Sequence, residues 1–410
     1  MLKHKLQKSA KRARGKFSWV LQLLLRDEAI SGKLLLLAAL AAIVAVNSSF
    51  SPAYTAFWER DLSLSLGNFV IAADLRHWIN DGLMAIFFLV ISLEIKRELV
   101  RGELRKVRAA FLPIIAAVGG IAVPIVIYSY FNNGLEGMHG WGIPMTTDTA
   151  FAIGLLALLG RRIPTSLKIF LLTVMVIDDV AAIVAIAVFY THTVNWLPLS
   201  IAGGIYLVIL ILHWLRFLHM RSFVMLGVIL WVCFYLSGVH ASIAGVILGL
   251  VAPITARHYA NRLSIAERLE RALIPFSTLI IIPLFALANA GVALDWHVFS
   301  QTSAAHVGLG IFLGLVVGKT VGIVAAVWLA KTLRLVRLPK NTTMHHIVGV
   351  ALLAGVGFTL SIFIAELAFG TPSPLLNAAK ISIFSASVVS AIAGLLYLAI
   401  MAKPPHKRQS

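Results

Sequence analysis

Two adjacent aspartates, Asp178 and Asp179, lie near the middle of an apolar run from 167 to 190. A helix rises about 1.5 Å per residue, so this run is long enough to cross a bilayer and places both carboxyl groups near its midplane. One charged side chain at that depth costs at least about 2.5 kcal/mol. The pair therefore predicts a functional site. The alternative is a pair held by neighbouring cations for packing, although polar contacts between membrane helices usually involve Ser, Thr or Asn.

Two other apolar runs contain features that interrupt a helix. The segment 142–150 combines Pro144, three threonines and Asp148. Proline removes a backbone donor, and short hydroxyl or carboxylate side chains can bond the freed backbone groups. The segment 354–359, inside the run 344–369, has two glycines that permit an unwound backbone. Both runs are therefore predicted to be broken helices.

The composition is that of a membrane protein. Hydrophobic residues make up 60% of the 410 residues, charged residues only 13%, and the mean hydropathy is +0.92, whereas soluble domains have about 25% charged residues. The net charge of +18 could indicate binding to nucleic acid. However, the basic residues lie in short clusters between apolar runs, as in the loops of membrane proteins. The single cysteine, Cys233, excludes an internal disulfide and a cysteine-based metal site.

The apolar runs predict an all-α polytopic membrane protein with about twelve spans, and eleven is the competing count because the seventh and eighth runs almost merge at Ser237 and Gly238. The approximate spans are 33–50, 77–99, 109–131, 141–160, 167–190, 197–217, 222–236, 238–256, 271–293, 305–330, 344–369 and 375–401. Alternate loops are rich in Lys and Arg, which predicts that both termini are cytoplasmic.

The predicted organisation is a basic cytoplasmic arm (1–30), a single transmembrane domain (31–402) and a basic cytoplasmic tail (403–410). The arm is not a signal peptide, because its apolar piece is short and is followed by Arg26, Asp27 and Glu28 instead of a small-residue cleavage site. It is predicted to be either an amphipathic helix on the inner leaflet or disordered.

The broken helices occupy corresponding places in two triplets of spans, the third to fifth and the tenth to twelfth. Charge placement gives the triplets opposite topology, which predicts an inverted repeat whose broken helices cross near the midplane. Lys319 lies in the middle of the tenth span, next to glycines repeated every four residues at 310, 314, 318 and 322. Such a stripe allows close helix packing, and Ser237, Ala241, Gly245 and Gly249 form a similar one.

Several segments of this chain can be compared with those of known families, namely Trp78–Phe88, Leu93–Glu98, Thr147–Ala152, Val176–Val180, Ser237–Ala241, Pro283–Gly291, Gly318–Lys319 and Gly355–Ile364. Together they resemble the corresponding segments of the NhaA-type bacterial sodium/proton antiporters. The resemblance covers about residues 30 to 400. An inverted repeat is a known property of that family, so the fold implied in this way is not an independent prediction.

The resemblance implies roles for individual residues. Asp179 would be the principal sodium ligand and proton acceptor, and Asp178 its partner, able to pair with Lys319. Asp148 would lie where the broken helices cross, with Thr147 close enough to contribute an oxygen. The remaining matches are linked to the pH response: Asp81 near the periplasmic side, His240, and an acidic cytoplasmic funnel of Glu94, Glu98 and Glu270. For His240 a hydrogen-bonded structural role is an equal alternative.

Three positions depart from the expected family pattern. Glu267 stands where a basic residue is usual, Ile274 where a histidine is usual, and Glu366 where a small polar residue is usual. The first two positions imply a different pH threshold if they contribute to it. Glu366 has no explanation from the sequence beyond a position near the membrane interface.

The expected function is electrogenic, pH-regulated export of sodium or lithium in exchange for protons, by alternating access in a bacterial inner membrane. Small hard cations prefer oxygen ligands, and cations and protons would compete for the paired aspartates. The protein is expected to have no enzymatic activity and to need no cofactor. Its expected partners are the lipid bilayer and, as one option, a second copy of the chain in a homodimer. A cation channel or a sodium-coupled symporter of an organic anion are the alternatives; channels rely on charge rings or carbonyl filters repeated between subunits, and a symporter would reuse broken helices.

Overall fold

A computed structural model describes residues 28–66, 69–105, 107–191, 194–215, 217–254, 263–339, 341–370 and 373–401. The predicted tail, 403–410, and all but the last three residues of the predicted arm lie outside these ranges. The helices, numbered along the chain, are α1 (Glu28–Val46), α2 (Ser51–Trp58), α3 (Leu75–Arg101), α4 (Val107–Asn132), α5 (Thr149–Leu158), α6 (Thr165–Phe189), α7 (Trp196–Trp214), α8 (Met220–Ser237), α9 (Ser242–Val251), α10 (Ile265–Asn289), α11 (Thr302–Thr332), α12 (Met344–Ala354), α13 (Phe358–Phe369) and α14 (Pro374–Met401).

Short 3₁₀ segments and π-helical turns complete the helical structure. The 3₁₀ segments are Glu103–Arg105, Glu136–Met145, Gly160–Arg162 and Trp296–Ser300. The π-helical turns are Trp78–Leu83 in α3, Ser277–Ile281 in α10 and Gly314–Gly318 in α11. A π-helical turn locally disturbs the α-helical hydrogen-bond pattern and is frequent at functional sites. In α11 this turn directly precedes Lys319.

The prediction of an all-α chain is wrong in one place. Strands β1 (Asp61–Leu66) and β2 (Phe69–Asp74) pair antiparallel, with Asp61 opposite Asp74 and Leu66 opposite Phe69. Residues 61–66 alternate leucine with polar residues, and a period of two is the pattern of a strand with one apolar face. The protein is therefore nearly all-helical, with one hairpin before α3.

The described residues contain eight helices long and apolar enough to cross a membrane, or up to eleven if each bent pair counts as one span. The bent pairs are 32–46 with α2, at 117°, Glu136–Met145 with α5, at 42°, and α12 with α13, at 44°. The count of twelve is thus not reached in this part of the chain. The predicted eighth span contains only the ten-residue helix α9.

Burial separates central helices from peripheral ones. In α6, which contains Asp178 and Asp179, 61% of the apolar stretch is buried inside the protein, whereas in α7 only 11% is buried. Since an apolar helix that does not contact protein must face lipid in a membrane, α7 is a peripheral helix. The aspartate pair therefore lies in the centre of the helix assembly.

Both predicted glycine stripes lie at close helix crossings. On α11, a side chain at Gly318 would meet Pro124 of α4, and one at Gly322 would overlap the carbonyl oxygen of Gly119. On α9, side chains at Gly245 and Gly249 would overlap the backbone of α3. Small residues allow this backbone contact between membrane helices. The crossing of α4 and α11 fixes Lys319 relative to the rest of the core.

We expect Gly322→Ala to destabilise the protein. The added methyl group must displace the backbone of α4 at Gly119, and overpacking of this kind costs about 1 to 3 kcal/mol. Thermal unfolding of the purified protein in detergent measures the effect. Gly203→Ala on α7 is the matched control, because no atom lies within 4 Å of the added methyl group there. Equal melting temperatures for the two variants would contradict the assigned packing.

Candidate functional site

The two broken helices meet at their interruptions. In the first, Glu136–Met145 is separated from α5 by 146–148, and in the second, α12 is separated from α13 by 355–357. The backbone N–H of Asp148 donates to the carbonyl oxygen of Val356, at 2.6 Å. The Thr146 and Ser361 hydroxyl oxygens lie 2.8 Å apart. The freed backbone groups of each helix are thus partly satisfied by the other, as the apolar surroundings require.

Asp148 lies at the N-termini of both α5 and α13. Its Oδ1 accepts from the backbone N–H of Phe151, at 3.0 Å, which caps α5. Its Oδ2 accepts from the backbone N–H and the hydroxyl of Thr359, at 3.1 and 2.6 Å. A helix N-terminus carries a partial positive charge and unsatisfied N–H donors. The buried carboxylate therefore compensates two helix ends.

Lys319 compensates an opposite end. Its Nζ donates to the carbonyl oxygen of Met145, the last residue of the first half-helix, and to Oδ2 of Asp178, at 2.7 Å. Both side chains of this ion pair are fully buried. A cation is favourable at a helix C-terminus, where carbonyl groups are unpaired. Lys319 thus joins a broken helix to the aspartate pair on α6.

Thr147 lies between the same groups. Its Oγ1 is 2.9 Å from Oδ2 of Asp178 and 2.9 Å from the carbonyl oxygen of Ala354, the last residue of α12. A hydroxyl has one hydrogen to donate, so at any moment it serves only one of these two acceptors. The side chain can therefore pass its hydrogen bond from the carboxylate to the helix end.

Asp178 and Asp179 differ in their contacts. Oδ2 of Asp178 is occupied by Lys319 and Thr147, while its Oδ1 is buried and makes no hydrogen bond to any part of the chain that the structure describes. Among the described residues, the one hydrogen-bond partner of Asp179 Oδ2 is the Thr149 hydroxyl, at a long 3.4 Å. Carboxylate oxygens with spare acceptor capacity suit a proton or a small hard cation.

A cavity of about 520 Å³ lies on the side of the basic loops, and its lining on α6 reaches the turn before this pair. The acidic and basic groups in its lining include Glu94, Arg97, Glu98 and Arg101. Its apolar wall on α6 ends at Val176, one helical turn before Asp179. Asp179 is 7% exposed and Asp178 only 1%, so Asp179 is the aspartate closer to water.

Two residues of the predicted acidic funnel, Glu94 and Glu270, belong to an ion-pair network between α3 and α10, while Glu98 accepts a hydrogen bond from the backbone N–H of Glu103. Arg97 contacts Glu270 on α10 and lies 3.4 Å from Glu94. The structure places Glu94 and Glu98 in the cavity lining, while Glu270 is linked to it through Arg97. The unusual acid Glu267 pairs with Arg101 at 2.6 Å.

Two predicted residues lie away from the aspartate pair. His240 Nε2 is 2.8 Å from the carbonyl oxygen of Tyr190, which is eleven positions, or about 17 Å of helix, beyond Asp179. Asp81 pairs with His77 at 2.9 Å, near the start of α3, whereas Glu94 lies near its other end. Both contacts lie at the end of the molecule opposite the cavity, and neither His240 nor Asp81 contacts the aspartate pair.

Thr149 and Thr359 belong to the predicted helix interruptions, but no role at the site was predicted for either. Thr149 directly follows Asp148, so its position in the sequence was enough to predict that it lies close to the site. Thr359 closes the second interruption, yet its contact with Asp148 joins positions 211 residues apart. Only the crossing of the two broken helices brings them together.

The chain is similar to known proteins over nearly its whole length. Residues 22–398 match the family described as Na+/H+ antiporter 1. The chain belongs to the Na+/H+ antiporter 1 family. Family membership and the apolar helices together establish a multi-pass membrane protein.

Curated relatives match this chain over nearly its whole length. It is 42% identical to Na+/H+ antiporter NhaA 1 of Clostridium beijerinckii, over 90% of this chain and 92% of the relative. It is 42% identical to Na+/H+ antiporter NhaA of Bordetella parapertussis, over 94% and 97%. It is 42% identical to Na+/H+ antiporter NhaA of Escherichia coli, over 92% and 97%.

A double-mutant cycle measures the ion pair at this site. We expect Lys319→Met to lower the free energy of unfolding by about 3 to 5 kcal/mol, because it leaves the Asp178 carboxylate buried without its cation. Asp178→Asn in the Lys319→Met background removes that charge and should recover part of the loss. Thermal unfolding of the four proteins in detergent provides the readout. Additive effects of the two substitutions would contradict a direct pair.

Proposed function

We propose that this chain exchanges sodium or lithium for protons across a bacterial inner membrane, with both termini in the cytoplasm. The observation that supports this proposal is the buried pair Asp178 and Asp179. Lys319 neutralises the carboxylate of Asp178, whereas among the described residues the carboxylate of Asp179 has one long hydrogen bond, to Thr149. The transported ions are the cargo, and we assign the protein no cofactor and no enzymatic activity.

Competition at the aspartate pair would produce the exchange. A sodium ion held by Asp179 and the spare oxygen of Asp178 replaces protons on the same groups, since both stabilise negative charge there. The two carboxyl groups adjoin in sequence and share their surroundings, so their protons belong to the pair as a unit. Release of sodium on one side requires protonation, and release of protons on the other requires sodium.

Alternating access would expose the pair to each side in turn. We propose that residues 107–189 and 302–401, here called the core bundle, form the inverted repeat and move against the frame helices α3 and α10. The broken helices and their contacts through Asp148 support this division. The cavity on the side of the basic loops is assigned to the cytoplasm by the positive-inside rule.

The energetics favour sodium export when two protons enter for each sodium ion. One net charge then moves inward in each cycle, and a membrane potential of 100 mV contributes about 2.3 kcal/mol. Each pH unit adds about 1.4 kcal/mol per proton. The pH response is assigned to the acidic groups near the cavity, Glu94, Glu98 and Glu270, while His240 and Asp81 have structural contacts at the opposite end.

The function predicts a direct response to sodium. In proteoliposomes with a preset acidic interior, we expect added sodium or lithium to collapse the pH gradient without any organic anion, as reported by a pH-sensitive dye. Clamping the membrane potential with potassium and valinomycin should speed the exchange, because net charge moves. No response at any pH near neutrality would refute the antiport, and a requirement for an organic anion would favour symport.

We expect Asp179→Ala to abolish the exchange while the protein remains folded in the membrane. The substitution removes the carboxylate that has no counter-charge, so the Asp178–Lys319 pair and the capped helix ends are retained. Transport in the same proteoliposome assay and elution as a folded protein in detergent measure the two effects. Asp61→Ala, at an exposed aspartate of β1, is the control and should transport normally. Wild-type transport by Asp179→Ala would refute the assignment.

A further inference from the structure

Glu366, the acid without an explanation from the sequence, forms a second buried ion pair. Its Oε1 accepts from Lys380 Nζ at 2.7 Å, with only 8% and 7% of the two side chains exposed. Glu366 belongs to α13 and Lys380 to α14, so both residues lie in the core bundle. This pair remains intact in any motion that keeps the bundle rigid.

The other carboxylate oxygen of Glu366 is bonded to the frame. Asn80, in the π-helical turn of α3, donates from Nδ2 to Oε2 of Glu366 at 2.6 Å. Asn80 also pairs with Asn289 at the end of α10, whose Nδ2 donates to Oδ1 of Asn80 at 2.7 Å. Asn80, Asn289, Glu366 and Lys380, here called the polar latch, thus connect the frame to the core bundle.

An aromatic layer lies deeper along the same helices, about one turn from the latch residues of α13 and α10 and about two turns from Asn80 on α3. Phe363 of α13 contacts Phe88 of α3 and Phe285 of α10, with ring centroids 5.5 and 6.2 Å apart. Phe363 precedes Glu366 by three positions and Phe285 precedes Asn289 by four, so each phenylalanine shares a helix face with its latch residue. The aromatic layer excludes water, and the latch closes its outer edge.

The latch is on the side of the molecule opposite the cavity. Glu366 lies seven residues beyond Thr359 along α13, which is about 10 Å from the crossing of the broken helices. The cavity lining on α3 begins at Glu94, whereas Asn80 is near the start of that helix. A route from the outer side to the aspartate pair must therefore part these contacts.

We propose that the Asn80–Glu366 hydrogen bond is a latch that keeps the outer route closed and must break each time the aspartate pair opens outward. The proposal rests on the exchange function proposed above. Frame helices α3 and α10 are joined to each other at both ends, by Arg97–Glu270 and by Asn80–Asn289. The separable contact is therefore the one between Asn80 and Glu366.

The charge arrangement makes this contact reversible. When the bundle and frame part, Glu366 keeps its counter-ion Lys380, so no unpaired charge is left in apolar surroundings. Asn80 keeps its amide partner Asn289, and water replaces the one bond that is lost. A hydrogen bond to a charged group is strong enough to change an equilibrium by about tenfold.

Outside accessibility of a buried cysteine tests the latch. Ala286 is 1% exposed, lies next to Phe285 and precedes Asn289 by three positions, so it shares the latch face of α10. The parent protein is Cys233→Ser with Ala286→Cys. The rate of modification by a charged, membrane-impermeant methanethiosulfonate added outside right-side-out vesicles reports how often the outer route is open.

We expect Asn80→Ala to raise this modification rate about tenfold, because it removes the bond between frame and bundle and leaves Glu366–Lys380 paired. It also removes the Asn80–Asn289 contact within the frame, which the variant at Glu366 and Lys380 described below retains. Asn132→Ala is the matched control. Asn132 is also buried, but it donates to Tyr128 and His306, both within the core bundle. Its substitution should leave the modification rate within about twofold of the parent, because the lost hydrogen bonds are neutral and do not connect the bundle to the frame.

A second variant retains the test if Asn80→Ala does not fold. Glu366→Gln with Lys380→Met removes both charges and keeps an amide acceptor for Asn80, so the rate should rise, by less than in Asn80→Ala. An unchanged rate in a folded latch variant would overturn the latch. The labelling needs no ion exchange, so a latch effect in a protein that fails to exchange sodium would refute the proposed function alone.

Discussion

The structure depends on one constraint, which is that helix ends exposed inside a membrane must be compensated. Two helices break at the centre of this protein, and each break leaves unpaired N–H or C=O groups without access to water. Asp148 serves the N-termini of α5 and α13, while Lys319 serves the C-terminal end at Met145. Opposite charges are therefore required at fixed points near the membrane centre before any ion is transported.

This constraint distinguishes the charged groups that stabilise the structure, Lys319 and Asp178, from Asp179, which is not needed for it. The Lys319 ammonium group donates one hydrogen bond to the carbonyl oxygen of Met145 and another to the carboxylate of Asp178. Asp179 follows Asp178 on α6 and points about 100° away from it around the helix, so it cannot share that cation equally. In the proposed function, a carboxylate with few partners next to a neutralised one is a site whose occupancy depends on the ions that reach it. The broken helices thus create the charge imbalance at the pair.

The sequence predicted the charged residues and the helix interruptions because both are rare inside apolar runs. It predicted the glycine crossings for a similar reason, since spacing by four places glycines on one face. The described residues contain at most eleven spans, so the predicted count of twelve is not confirmed, and a hydropathy window as long as a membrane span does not detect the short hairpin before α3. Glu366 was unexplained because its partner Asn80 lies 286 residues away in the chain. A contact of that kind becomes visible only after the helices are packed.

The two ends of the frame helices bear on the alternating access proposed above. Arg97 and Glu270 join α3 to α10 at the end with the cavity, and Asn80 and Asn289 join them at the other end. In that proposed cycle, helices joined at both ends would resist separation from each other, so we assign the relative motion to their contacts with α13. Parting those contacts on the outer side would tilt a rigid core bundle toward the frame at the cavity. Because the bundle is close-packed at the α4–α11 crossing, it would transmit this tilt without deforming, so that opening one side closes the other.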